Sequence, residues 1–166
     1  MEFIVLRIYF TADLNRKVLS FMVHYVGSTF PWLKLEHLHP IHVISTCLNA
    51  SCAFHSEHRL DDAIGTVVIP GKKSLVVVKE PWVFDQSICE PLLAGNCVVL
   101  PLASIKSIDE LVWKFNHSIG HLFSINHCAD SSCPMSSPEL PSKDLRVALC
   151  TNCKKRLERT GRLGSS

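Results

Sequence analysis

His117-Ser118-Ile119-Gly120-His121-Leu122-Phe123-Ser124-Ile125-Asn126-His127-Cys128, with Cys133, Met135, Cys150 and Cys153 behind it, decides how this 166-residue chain is read. His117 and His121 stand four apart, so on a helix their imidazoles leave one face a single turn apart, the spacing two ligands of a tetrahedral metal need. His127 can reach the same ion only if the helix stops soon after His121 and the chain turns sharply. An i, i+4 histidine pair alone equally fits a solvated or hydrogen-bonded surface pair, and the third histidine is what shifts the reading toward a metal. Beyond it, Cys128 and Cys133 are joined by sixteen residues to the pair Cys150 and Cys153. Four thiolates so arranged make a closed site that leaves no position for water or substrate, which is the mark of structural zinc. Binding there is worth ~10 kcal/mol or more of apparent folding free energy, enough to order a short tail with little core of its own.

Working outward, Ser107-Ile108-Asp109-Glu110 fits a capping box, in which the serine hydroxyl and the glutamate satisfy each other's free backbone donors. Ile108, Leu111, Val112, Phe115, Ile119, Leu122 and Phe123 then recur at steps of three and four, predicting a helix from Ser107 to about Phe123 that buries one broad face. Upstream, Glu2 to Phe10 reads as a strand. Thr11 or Asp13 is placed to cap a helix through Leu14, Val18, Leu19, Met22, Val23 and Val26, with Gly27 ending it. Leu33 to Leu38 alternates as a half-buried strand does, and Cys97 to Leu100 is a short apolar strand. The runs Thr66 to Ile69 and Ser74 to Val78 flank the turn signal Pro70-Gly71-Lys72-Lys73, predicting a hairpin or neighbouring strands. Strands with one helix first, then a helix, then a cysteine-rich tail, predict an α+β fold in one compact domain.

Composition sets the limits around that reading. With 47% hydrophobic and 19% charged residues the chain is neither disordered nor fibrous, and at this length a single core needs no disulfide framework. Seventeen basic against fifteen acidic residues give no field that demands a polyanion, so no nucleic acid is expected as partner. The most apolar uncharged stretches fall short of the ~20 residues of a membrane helix and no secretion signal is apparent. A cytoplasmic monomer is expected, where clustered cysteines point to metal before disulfides. Cys47, Cys52, Cys89 and Cys97 show no ligand spacing and read as small core or surface residues; His37, His39, His42, His55 and His58 read as ordinary strand or loop residues. Lys154, Lys155, Arg156, Arg159 and Arg162 could touch phosphate, but also suit a solvated helix face.

The twelve residues from His117 to Cys128 resemble the metzincin zinc signature H-E-x-x-H-x-x-G-x-x-H. Cys128, Cys133, Met135, Cys150 and Cys153 sharpen the resemblance to the archaemetzincins, over Asp109 to about Leu157. That resemblance implies a zincin-like twisted sheet with helices, a catalytic-type zinc on His117, His121 and His127, Met135 as the hydrophobic floor beneath them, and a structural zinc on the four cysteines, two ions per chain. It divides the chain into residues 1–127, ending in the histidine motif, 128–158, carrying Met135 and the cysteines, and a disordered tail, 159–166. The implied reaction is zinc-dependent hydrolysis of a peptide or protein. Three departures bear on it, one of them a stretch from Met135 to Cys150 somewhat shorter than the family pattern, which alters the expected substrate-facing wall. Ser118 occupies the position of the general-base glutamate, and a hydroxyl cannot shuttle a proton near neutral pH. Glu110, about 12 Å up the helix, is too far to replace it. Ser124 stands where the family has glycine at a turn needing positive φ, a cost of ~1 kcal/mol or more that would tend to push His127 outward, unless Asn126 takes part of the turn. The expectation is therefore a zinc-binding peptidase homologue, inactive or severely impaired. Its rivals are an active peptidase whose base comes from elsewhere, such as Glu80 or Glu90, and a non-enzymatic zinc-knuckle module that binds nucleic acid or protein.

Overall fold

A computed structural model describes residues 4–11, 15–41, 72–78, 96–102, 105–136 and 146–163. Strand β1 (Ile4–Thr11) leads into helix α1 (Arg16–Thr29), and the chain returns as β2 (Leu33–Ile41). Strands β3 (Ser74–Val78) and β4 (Cys97–Pro101) follow, then helices α2 (Ile108–Leu122) and α3 (Thr151–Leu163). The described strands form one sheet in the order β2-β1-β3-β4, with every pairing parallel. Parallel neighbours cannot be joined by a tight turn, and α1 is the crossover that carries the chain from β1 back to β2. Ser74–Val78 accordingly lies between β1 and β4, while Thr66 to Ile69 fall outside the described residues.

The sequence of β3 and β4 explains the parallel arrangement. Leu75, Val76, Val77, Val98, Val99 and Leu100 are all buried, so successive side chains on both faces are covered, the environment that a run without polar alternation requires. The fold is thus a mixed α/β domain with a small parallel sheet, within the broad class expected but with a strand direction that the runs alone left open.

Helix α1 packs Leu19, Met22 and Val26 into the core. Its cap is neither Thr11 nor Asp13 but Asn15, whose side chain accepts a hydrogen bond from Lys17 N at 2.9 Å. Nor does Gly27 end it: the helix runs on to Thr29 and closes at Phe30, whose N–H donates to Val26 O. A lone glycine weakens a helix without having to stop it, and packing against the sheet carries this one through.

Helix α2 begins where predicted. Ser107 Oγ accepts from Glu110 N at 3.1 Å, and Glu110 Oε2 accepts from Lys106 N at 2.9 Å, one residue before the usual reciprocal partner of a capping box. From Glu110 to Leu122 nearly every side chain is covered, more than a one-faced amphipathic helix would show. Aromatic edges fix its position: Tyr25 meets Phe115 at 5.8 Å and Trp32 meets Phe123 at 5.1 Å between ring centroids. Helix α3 buries Cys153 and Leu157 and exposes Lys154, Lys155, Arg156 and Arg159. It continues to Leu163, into the stretch expected to be a disordered tail.

Candidate metal centre

The sharp turn that His127 requires is present. Phe123 closes α2, Ser124 adopts φ 58°, its N–H donates to His121 O at 2.9 Å, and the N–H of Ile125 reaches back to Gly120 O at 2.9 Å. That pair of bonds is a Schellman motif with serine at the left-handed position usually given to glycine. Ser124 makes the turn itself, and the strain does not push His127 away: its Nε2 lies 3.2 Å from His121 Nε2, which is 2.9 Å from His117 Nε2. The three imidazoles present their ligand atoms within 4.8 Å of one another.

His117 is held in the form a metal needs. Its Nδ1 lies 2.7 Å from the Pro134 carbonyl oxygen. A carbonyl can only accept, so Nδ1 carries the proton and Nε2 keeps its lone pair, turned toward the other two rings. Trp113, one turn earlier, stacks on the imidazole at 5.5 Å and 14° between planes. Burial lowers the pKa of His117, against the opposing pull of the Pro134 hydrogen bond. Burial first, then repulsion from His117 and His127, lowers that of His121 to about 4. Both rings are therefore neutral, and able to coordinate, at neutral pH.

Met135 is fully buried and packs against the same helix at Gly120. A Cβ on Gly120 would collide with Met135 Sδ, so glycine at this point of α2 is what lets the thioether pass under the helix. Asn116 braces the other side, donating to Tyr25 Oη at 2.8 Å and to Val147 O at 2.7 Å. Glycine inside a good helix pattern is the one signal in the sequence that could have revealed the close approach. Nothing in the sequence revealed the roles of Trp113, Asn116 and the Pro134 carbonyl.

The second cluster is equally compact. The Sγ atoms of Cys128, Cys133, Cys150 and Cys153 lie within 4.8 Å of one another, Cys128 on a half-buried position and the rest buried. Backbone N–H groups point at the sulfurs: Asp130 N toward Cys128 Sγ at 3.5 Å, Cys150 N toward Cys133 Sγ at 3.4 Å, Cys153 N toward Cys150 Sγ at 3.5 Å. Burial pushes the Cys133 and Cys153 thiols above their usual range. At Cys150 burial acts the same way, but the Cys153 N–H and the neighbouring thiols outweigh it and hold the group lower. Such a set of sulfurs gathers negative charge only around a cation, so the donor chemistry fits a thiophilic metal.

Ser118 is fully buried, and its Oγ has no hydrogen-bond partner among the described residues. Glu110 is committed to the N-terminus of α2 and to Lys114 at 3.8 Å. Glu80 and Glu90 lie outside the described residues, as do Cys47, Cys52, Cys89, His42, His55 and His58. His37 and His39 belong to β2, and Cys97 is buried in β4. No helix among the described residues is long and apolar enough to cross a membrane.

A histidine triad on and just after a buried helix, a methionine packed against that helix and a cluster of four cysteines give the chain candidate three-histidine and four-cysteine metal sites. Comparison with known proteins agrees. Residues 94–159, which hold all seven ligand-type side chains, match the model of peptidase family M54. The archaemetzincin of Methanopyrus kandleri superposes with a TM-score of 0.61 at 17% identity, over 97% of this chain and 96% of its own. The archaemetzincin of Archaeoglobus fulgidus, crystallised with malonate, gives 0.63 at 19% identity, over 92% and 99%. The fold is theirs. No curated protein matches the chain in sequence.

Proposed function

We propose that the chain is a two-zinc archaemetzincin homologue whose peptidase chemistry is silent or severely impaired. The observation that carries the metal assignment is the convergence of three imidazoles on one point, with the His117 proton fixed on Nδ1 by Pro134. Zinc on these three nitrogens would keep an open position and supply Lewis acidity toward a peptide carbonyl or water. The remaining chemistry falls to the side chains. Pro134 and Trp113 orient His117, the Schellman turn at Ser124 delivers His127, and Met135 supports the helix from below. None of these side chains is a carboxylate able to serve as a base.

Hydrolysis needs a group that takes a proton from the attacking water and returns it to the leaving amine. Ser118 follows the first histidine, and its hydroxyl holds its own proton throughout the neutral range. Loss of general acid-base help costs ~10²- to 10⁴-fold in rate. A zinc-loaded preparation assayed on unstructured peptides tests the reading: no chelator-sensitive cleavage is expected from the chain as it stands, and Ser118→Glu should raise cleavage above background. Robust zinc-dependent cleavage by the unaltered protein would refute it and point to a base elsewhere, with its pKa visible in the pH-rate profile.

A further inference from the structure

We propose that the four-cysteine site controls the affinity of the three-histidine site, so that the histidines hold a metal tightly only when the thiolates already do. The inference rests on the metal-binding reading above and concerns how the two sites depend on each other.

The two sites share a covalent and hydrogen-bonded frame. His127 and Cys128 are consecutive, so one ligand of each site sits on the same peptide link. Pro134, whose carbonyl fixes the His117 tautomer at 2.7 Å, directly follows Cys133. The N–H of Cys128 donates to Met135 O at 2.7 Å, and that of Cys133 to Asp130 O at 3.0 Å, tying the loop into a ring between the two clusters. The Pro134 acceptor of His117, the Met135 side chain packed against the helix that carries His117 and His121, and the ligand His127 thus belong to a loop or its flank whose ends are drawn together by sulfur.

A metal on the four sulfurs replaces the weak sulfur contacts of this loop with coordinate bonds and sets its shape. Without it the loop gains freedom, the Pro134 oxygen no longer meets Nδ1 at a fixed distance, and His127 must be ordered at the expense of binding. A ligand set that exists for only a fraction of the time binds with affinity lowered by that fraction. Coupling of this kind is mutual in free energy.

Cobalt(II) separates the sites spectroscopically, because thiolate ligands give an intense near-ultraviolet charge-transfer band and imidazole ligands do not. Reduced, metal-free full-length protein titrated anaerobically with Co²⁺ should fill the thiolates first, the histidine-site visible bands developing only afterward. In Cys150→Ser/Cys153→Ser the Co²⁺ affinity of the histidine site should fall at least tenfold. Cys153→His, which keeps four ligands, should restore it, an outcome that a mere loss of bulk at the position would not give. Histidine-site bands that appear while the thiolates are still free in the unaltered protein would overturn the coupling, whatever the variants do. So would an unchanged histidine-site affinity in the double variant. If the unaltered protein binds Co²⁺ at its thiolates and never at its histidines, the three-histidine assignment itself fails and the coupling falls with it.

Discussion

Met135 passes so closely beneath Gly120 that the helix carrying two of the three histidines can approach the loop after His127 only where it has no Cβ. The thioether and the helix are therefore fitted to each other within one turn of His117 and His121.

Gly120→Ala puts a methyl group into an occupied space. Met135 is fully buried and has little room to retreat, so a loss of about 1–3 kcal/mol is expected from overpacking. Combining it with Met135→Ala should cost less than the sum of the two single changes. A chemical-denaturation double-mutant cycle measures this, and strict additivity would mean that the two residues do not press on each other.

Ser124→Gly should act in the opposite direction. At φ 58° the serine Cβ is crowded, and glycine removes that strain while adding freedom to the unfolded chain. A net gain of up to about 1 kcal/mol is expected, with the histidine-site metal affinity retained or improved. Ser124→Val, which tolerates a positive φ poorly, should destabilise the turn and weaken metal binding; thermal melts with metal titration read both effects.

Acid should undo the histidine site in a definite window. Unfolded, His121 takes up a proton near its ordinary value of 6.5, whereas folded it resists until about 4. The unfolded state thus binds more protons between those values, so the stability present above 6.5 declines as pH falls through the window and levels off below about 4. His117, also lowered by burial, adds to the same slope. Denaturation of protein stripped at the histidines but loaded at the cysteines, compared at pH 7 and pH 5, should show the weaker fold at pH 5. Equal stability would mean that the rings titrate freely.

Much of this was legible because the ligand pattern is rigid in sequence: histidines at i, i+4 and i+10 with cysteines at fixed offsets allow few geometries. The capped start of α2 was legible for the same reason, a local interaction between Ser107 and Glu110. The parallel sheet was not, because Leu75–Val77 and Val98–Leu100 carry no alternation that distinguishes one strand direction from another. The end of α1 was not legible, because tertiary packing of Val26 and the cap at Phe30 outweigh the local preference of Gly27. Carbonyl partners such as Pro134 O have no signature, since every residue carries a carbonyl and only the fold decides where it points.

The central claim is that the chain holds two metal ions on two ligand sets. Elemental analysis of tag-free protein after exhaustive dialysis measures it directly. About two zinc ions per chain are expected, one from a closed four-thiolate site and one from an open three-nitrogen site. A value near one, with the thiols protected from alkylation and the histidines still titrating, would contradict the histidine centre and with it the proposed two-zinc assignment.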